Sequence, residues 1–156
     1  MKQINHVIGL ILLLISMTTV PVMAQQELFD KFADRDGVTS VYISKAMFQM
    51  MSGIETASLN LANMKGKVES LQVLATEKPE LKEEIRKAFQ PLIGKQHEEL
   101  MRVKSDKTKA NFYMRKKGDL IQELIMLADT GDEFAVVQLL GNFTLKDIQE
   151  ITESVQ

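Results

Sequence analysis

From His97 onward the apolar residues recur with a period of two, and this alternation constrains the fold more than any other feature of the sequence. Within residues 108–115 the even-numbered side chains point to one side of an extended chain and the odd-numbered ones to the other. The pattern predicts four strands joined by short turns: "HEELMRVKS", "KTKANFYMRKKG", "DLIQELIMLAD" and "FAVVQLLGNF". The last is nearly all apolar, which is typical of a central strand covered on both faces. We therefore predict a four-strand meander.

The first half of the chain adds two strands and several helices. The segments "VTSVYIS" (38–44) and "VESLQVLAT" (68–76) are rich in β-branched residues and predict strands. Residues 79–92 predict an amphipathic helix, because their apolar residues follow a helical spacing. The segment "TASLNLANMKGK" is predicted to be a loop or a short helical turn. The fold class expected is α+β, a mostly antiparallel sheet of the meander plus two earlier strands, with helices packed on it.

Shorter helices are predicted at three further places. Leu28, Phe29 and Phe32 form the apolar face of one near the start. Ser44 can cap a helix "KAMFQMMSGIE", and Thr144 with Asp147 fits the capping pattern of a last helix, "LKDIQEITES". The apolar residues expected on the inner face of "KAMFQMMSGIE" are Ala46, Met47, Met50, Met51 and Ile54. Those expected on the inner face of "LKDIQEITES" are Leu145, Ile148 and Ile151.

The N-terminus has the pattern of a cleavable secretory signal peptide. Lys2 precedes an apolar run over residues 7–20, Pro21 follows it, and Val22-Met23-Ala24 provides a small-x-small cleavage site. The apolar run is shorter than the roughly 20 residues of a membrane span. We predict cleavage after Ala24, a signal peptide over residues 1–24, and a single α+β domain over residues 25–156 in the periplasm or outside the cell.

Composition excludes several functional classes. The chain has no cysteine, so neither a disulfide, a lipoprotein anchor nor a thiol nucleophile is possible. The formal net charge is −2, and no basic run suggests nucleic-acid binding. No cofactor motif is present, and we predict no cofactor, no metal and no catalytic residue. A partner among exported or envelope proteins remains open.

The segment "DKFADRDGVTSVYIS" (30–44) invites comparison with a calcium loop, because three aspartates surround Gly37. An EF-hand with this glycine at position 6 would place Phe32 at position 1 and Ile43 at position 12, and neither has a carboxylate. The alternative is a structural turn, in which Asp bonds nearby backbone and Gly accepts a positive φ. We predict the turn, with Phe32 and Ile43 buried.

Candidate catalytic groups are few. His97, the one histidine after residue 24, would have to serve a Ser-His-Asp triad, yet the chain has no Gly-x-Ser-x-Gly elbow. We predict a surface or strand-edge histidine. Ser44 and Lys45 are adjacent, so they cannot share one helical face. The paired acids Glu83–Glu84 and Glu98–Glu99 are adjacent in sequence, and neighbouring side chains diverge on a helix and on a strand, so a glycosidase would need two distant acids.

The methionines Met47, Met50 and Met51 could bind Cu(I) through their thioethers. Their spacing is also that of a helix face packed on a core, where methionine fills gaps. We predict core packing. The outer faces of the meander carry mixed charge and are predicted to be solvated or to dock another exported protein: Lys109, Arg115, Lys116, Lys117 and Glu123.

Two segments, "LFDKFADRDGVTSVYISKAM" and "HEELMRVKSDKTKANFYMRKKGDLIQELIMLADTGDEFAVVQLLGNFTLKDI", resemble a family of small exported bacterial proteins common in the Bacteroidetes. That family is the domain of unknown function 4252. The resemblance covers almost all of the chain after residue 24 and implies export and a compact α+β domain. It implies no activity.

The function expected is therefore an exported, non-catalytic binding or accessory domain that acts through protein–protein contact. Two alternatives remain open. One is a hydrolase-type enzyme whose distant carboxylate or hydroxyl groups assemble in the fold, and the other is a carrier of a small apolar ligand or lipid.

Overall fold

A computed structural model describes residues 22–50, 55–56, 59–60 and 66–153 of the chain. The helices are α1 (Val22–Ala33), α2 (Lys45–Met50), α3 (Pro79–Phe89) and α4 (Leu145–Glu153), and a 3₁₀ turn (Gln90–Leu92) extends α3. The strands are β1 (Val38–Ser44), β2 (Glu55–Thr56), β3 (Leu59–Asn60), β4 (Val68–Thr76), β5 (His97–Lys104), β6 (Lys109–Lys117), β7 (Leu120–Asp129) and β8 (Phe134–Phe143).

Six of these strands form one antiparallel sheet in the order β1-β4-β8-β7-β6-β5. Strands β5 to β8 are consecutive neighbours, so the predicted meander is confirmed, and β8 is central as predicted. The two earlier strands extend the sheet beyond β8, with β4 paired to β8 and β1 to β4. The α+β fold class is confirmed.

One sheet face, here called the helix face, packs against α1 and α3. The two helices meet through aromatic rings: the Phe29 and Phe89 centroids lie 4.9 Å apart in an edge-to-face arrangement, and Phe32 lies 6.3 Å from Phe89. Beneath them, apolar residues of β4, β7 and β8 complete the core, among them Leu74 and Val136. The predicted helix 79–92 is confirmed, because its apolar residues point into this core.

The other face, here called the apolar face, is built from three rows of side chains that cross all six strands in register. The first row is Ile43, Leu71, Leu139, Leu124, Met114 and Glu98, and Phe48 of α2 and Ile148 of α4 belong to the cluster around it. The second row is Val41, Val73, Val137, Met126, Phe112 and Met101. The third row is Thr39, Ala75, Ala135, Ala128, Ala110 and Val103.

Helix α2 differs from the prediction. Its buried side chain is Phe48, whereas Met47 and Met50 are 50% and 78% exposed. The predicted methionine face is therefore wrong, because the helix is six residues long and its aromatic residue, which buries more area, turns to the sheet. The Ser44 cap is confirmed, since Met47 N donates to Ser44 Oγ at 3.3 Å.

Helix α4 starts with the predicted capping box. Asp147 N donates to Thr144 Oγ1 at 3.2 Å, and Thr144 N donates to an Asp147 carboxylate oxygen at 2.7 Å. Leu145 was expected inside but is exposed at the first position of α4, whereas Ile148, one turn later, packs against the sheet. Lys67, before β4, forms an ion pair with Asp147 and so ties α4 to the sheet.

Protonation of Asp147 is expected to weaken this cap. The hydrogen bond from Lys67, followed by those from Thr144, lowers the pKa of Asp147 to about 2. A group whose folded pKa is depressed stabilises the fold above its unfolded pKa, about 3.9, and loses that contribution as pH falls through the folded value. Asp147→Asn should therefore cost about 1 kcal/mol at pH 7, and the gap between variant and wild type should close between about pH 4 and pH 2. Urea unfolding at several pH values measures it.

Some predictions concern residues outside the described part of the chain. The signal peptide as far as Pro21 lies outside it, as do Met51 and Ile54, and the side chain of Ile151 is likewise not described. In the segment 56–67, predicted to be a loop or a helical turn, the structure instead places β3, which pairs with β2. Such two-residue strands are too short to give an alternation in the sequence.

Candidate functional site

The segment that resembles a calcium loop is a turn between α1 and β1. Gly37 has φ +87°, as predicted, and its carbonyl accepts a hydrogen bond from Thr76 Oγ1 at 2.7 Å. Arg35 makes two hydrogen bonds to the Glu84 carboxylate, at 3.0 and 3.1 Å, which ties the turn to α3. Phe32 is fully buried, as predicted, whereas Ile43 is only half-buried.

The aspartates of this turn point outward. Asp30, Asp34 and Asp36 are all exposed, and Lys78 Nζ donates to the carbonyl of Asp36 at 3.2 Å. Among the residues that the structure describes, no group of three or more His, Asp or Glu side chains is placed to hold a metal ion. The prediction that this turn binds no calcium remains a prediction. A calorimetric titration with Ca²⁺ tests it.

Replacing Gly37 with alanine is expected to cost about 1 kcal/mol or more of stability, because residues with a Cβ rarely adopt a positive φ. The added Cβ would also lie 2.3 Å from Lys78 Cε, so the lysine side chain must leave its position over the turn. Gly94→Ala is the control, because a Cβ there meets nothing within 4 Å. Chemical denaturation measures both, and equal losses would contradict the turn's special backbone. Asp34→Ala and Asp36→Ala should cost less, with or without calcium.

A buried polar cluster lies on the helix face where β5, β6 and β7 run side by side. Glu123 is fully buried, and Arg115 Nε and Gln138 Nε2 each donate to its carboxylate at 3.1 Å. His97 Nε2 lies 3.4 Å from the same carboxylate. The sequence suggested a solvated, mixed-charge face for Arg115 and Glu123. That prediction is wrong for Glu123, and the Arg115 side chain is only 20% exposed.

The charge of Glu123 is compensated inside the fold. Burial alone raises the pKa of this carboxyl, but the nearby His97 imidazole, the Gln138 amide and the Arg115 guanidinium together outweigh burial and hold the pKa below its usual range. Among the described residues, neither ring nitrogen of His97 has a well-aligned hydrogen-bond partner. His97 lies at the edge of the sheet as predicted, but its side chain is only 5% exposed, so it is not a surface histidine.

Two glutamines continue the polar surface toward α1. Gln138 Nε2 also donates to Gln25 Oε1 at 2.7 Å, and Gln72 Nε2 donates to Gln26 Oε1 at 2.8 Å. Gln72 is buried, and its own Oε1 has no hydrogen-bond partner among the described residues. A buried acceptor such as this one destabilises the fold unless a hydrogen-bond donor reaches it.

The other candidate groups are not brought together. Ser44 Oγ caps α2, while Lys45 is exposed. The acids of both adjacent pairs have partners of their own: Glu83 bonds Arg86, Glu84 bonds Arg35, Glu98 lies near Lys116, and Glu99 bonds Arg102. The structure thus pairs each of these acids with a base rather than with a second acid.

A groove of about 420 Å³ separates α1 from β1 on the helix face. One wall is α1, from Gln26 to Ala33, and the other is the middle of β1. Gln72 lines it from the neighbouring strand, and Phe29 adds an aromatic side chain. Of the sites described, this groove alone combines an edge strand, an unpartnered buried acceptor and apolar side chains.

Sequence reasoning missed both Glu123 and Gln72, although a signal for each was present. Glu123 alternates with Ile125 and Leu127, so it shares their face of β7 and should be as buried as they are. Gln72 is likewise in phase with the buried residues of β4. The partners of these residues lie on other strands, and single-strand alternation does not identify them.

Comparison with protein families identifies the chain. The model of a domain of unknown function (DUF4252) matches residues 31–151, which is most of the sequence. The chain belongs to the DUF4252 family. The matched region of this DUF4252 protein includes the turn, the whole six-strand sheet and most of α4. No curated protein and no solved structure matches the chain.

Within the described part of this DUF4252 protein, no helix is long and apolar enough to span a membrane.

Proposed function

We propose that this protein is an exported, non-catalytic binding domain that acts through protein–protein contact. The observation that carries the proposal is the apolar face of the sheet. Its second and third rows run across all six strands without a charged residue, whereas the helix face is covered by α1 and α3.

The size of this surface supports a binding role. Side chains of the second row are all at least partly exposed, and Val41 and Met101 at its ends reach 42% and 48%. Six strands spaced about 4.8 Å apart span roughly 24 Å, and two rows extend about 14 Å along the strands. A patch of roughly 300–400 Å² is as large as the largest apolar patch on a typical monomer, and such patches are often functional.

The shape of the surface favours a protein partner over a small ligand. Four alanines in the third row keep it flat beside the bulkier second row, and small ligands prefer concave sites that enclose most of their area. The partner we propose is another exported protein with a flat apolar surface. A second copy of this chain and a lipid are the competing occupants that the experiment separates.

Export is part of the proposal and rests on the signal-peptide pattern. Cleavage after Ala24 would remove three residues of α1 and leave Gln25, Gln26, Phe29 and Phe32, whose contacts hold the helix to the sheet and to α3. The processed chain would thus keep these contacts. Intact-mass analysis of the exported protein tests this, and retention of residues 1–24 would refute it.

The experiment uses site-specific photo-crosslinking in the native cell. A photo-reactive residue at Met126, in the middle of the apolar face, is compared with one at Lys87, an exposed residue of α3 on the opposite side of the sheet. One exported protein should crosslink from Met126 and not from Lys87. That partner, once purified, should bind the wild type at least about tenfold more tightly than it binds Met101→Glu.

Leu100→Glu is the matched control, because Leu100 is also exposed and also on β5 but lies at the bulge, outside the rows. It should change affinity by less than about twofold. Crosslinks to a second copy of the chain or to lipid, or equal crosslinking from both positions, would overturn the proposal of a separate protein partner.

A further inference from the structure

We infer that the groove between α1 and β1 binds an extended segment of a second polypeptide, which adds to the sheet as a strand beside β1. The site lies on the helix face and at one edge of the sheet, so it is separate from the apolar face and does not depend on it. The segment we propose carries a lysine or arginine whose side chain enters the groove.

The first argument is that the two edges of the sheet differ. Edge strands usually carry charges or bulges that prevent pairing with other chains. Strand β5 has both, because a bulge interrupts its pairing between Glu99 and Met101 and four of its eight residues are charged. Strand β1 has neither: its pairing with β4 is continuous from Val38 to Ser44, and "VTSVYIS" contains no charge, proline or glycine.

The second argument is that β1 is available for pairing. Within the described strands it is the last of the sheet and pairs with β4 alone, so alternate backbone N–H and C=O groups along it point away from the sheet. Its middle residues are exposed, with Tyr42 at 61%. An added strand satisfies such groups, while a helix beside the edge supplies pockets for alternate side chains.

The third argument gives the chemistry of the segment. Gln72 lines the groove, and its Oε1 is buried and has no hydrogen-bond partner within the described residues. Asp30 lies at its exposed rim, and none of its lining residues is basic. A lysine or arginine can lay its aliphatic stem along Phe29 and Ala33 and donate to both oxygen-bearing side chains.

The probe is a library of random peptides of about ten residues displayed on phage, selected against the purified protein. The best binder is synthesised and mapped by amide NMR. We expect enrichment of β-branched residues around a lysine or arginine, with shifted resonances and slower amide exchange along β1 and along the side of α1 that lines the groove. Mapping to β5, mapping to the apolar face, or the absence of any binder at β1 would each overturn the inference.

Two pairs of variants test the geometry. Ser40→Trp fills the groove and should weaken the peptide at least about tenfold, whereas Thr39→Trp adds the same side chain to the opposite face of the same strand and should change affinity less than about twofold. Gln72→Leu should abolish the preference for a lysine over a norleucine in the peptide. Should that buried variant fail to fold, Asp30→Asn, on the exposed rim, should reduce the same preference.

The failure of this inference and the failure of the proposed function are distinguishable. Met101→Glu should leave the peptide affinity unchanged, because Met101 lies on β5, at the far end of the apolar face. Concentration-dependent broadening of β1 resonances in the protein alone, with a doubled mass, would show that the occupant is a second copy of the chain and would overturn the separate peptide.

Discussion

We expect Glu123→Ala to lower the free energy of unfolding by about 3–5 kcal/mol. The carboxylate is fully buried and accepts hydrogen bonds from Arg115 and Gln138, and its removal leaves Nε of the partly buried Arg115 guanidinium without an acceptor. Removing one partner of a buried ion pair lowers the stability of the fold far more than removing a surface ion pair does. Urea denaturation at pH 7 measures the loss.

Glu98→Ala is the matched control for Glu123→Ala. Glu98 is also a meander glutamate near a base, at 3.5 Å from Lys116 Nζ, but its side chain is 62% exposed. Its removal should cost less than about 1 kcal/mol. If Glu123→Ala cost no more than this control, the buried cluster would contribute nothing to stability.

The pH dependence of Glu123→Gln gives a second check on the cluster. Because the folded pKa of Glu123 is lowered, its charge stabilises the fold above the unfolded pKa of about 4.3 and loses this effect as pH falls through the folded value. The stability difference between wild type and Glu123→Gln should therefore be present at pH 7 and shrink below about pH 4. A difference that grows on acidification would contradict the direction of the pKa shift.

Phe89→Ala is expected to cost about 3–5 kcal/mol as well, because it leaves a cavity where α3 meets α1. Phe89 is fully buried, and its ring contacts both Phe29 and Phe32. Phe112→Ala provides the same change on the apolar face, where the side chain is only half-buried, and should cost less than half as much. Thermal and urea unfolding compare the two, and equal losses would mean that the apolar face is covered in solution.

The strands of the meander could be predicted because each has a clean alternation of its own. Residues 68–76 and 38–44 were also predicted with the bounds that the structure gives, since β-branched residues and flanking turns mark them. The capping box could be predicted because its two residues, Thr144 and Asp147, are only three apart in the sequence. Local hydrogen bonds and periodicities act within a few residues, and these are what a single sequence displays.

The errors arose where distant residues decide the outcome. Helix α2 is too short for a stripe to be established, and the choice between Phe48 and Met47 depends on the sheet below. The environment of Glu123 depends on His97 and Gln138, which lie on two other strands. The α1–β1 groove could not be predicted either, because it requires knowing that β1 ends the sheet.

The position of β8 between β4 and β7 has a consequence for the order in which the chain folds. Hairpins β5 to β8 are local and can form quickly, but β4 must wait for β8, which is made about 60 residues later. Until β8 is made, Leu74 lacks Val136, its neighbour on that strand. The aromatic residues of α1 then have only part of the surface on which they pack. A polypeptide with this connectivity completes its core only after nearly all of it has been synthesised, because the central pairing joins an early strand to the last one.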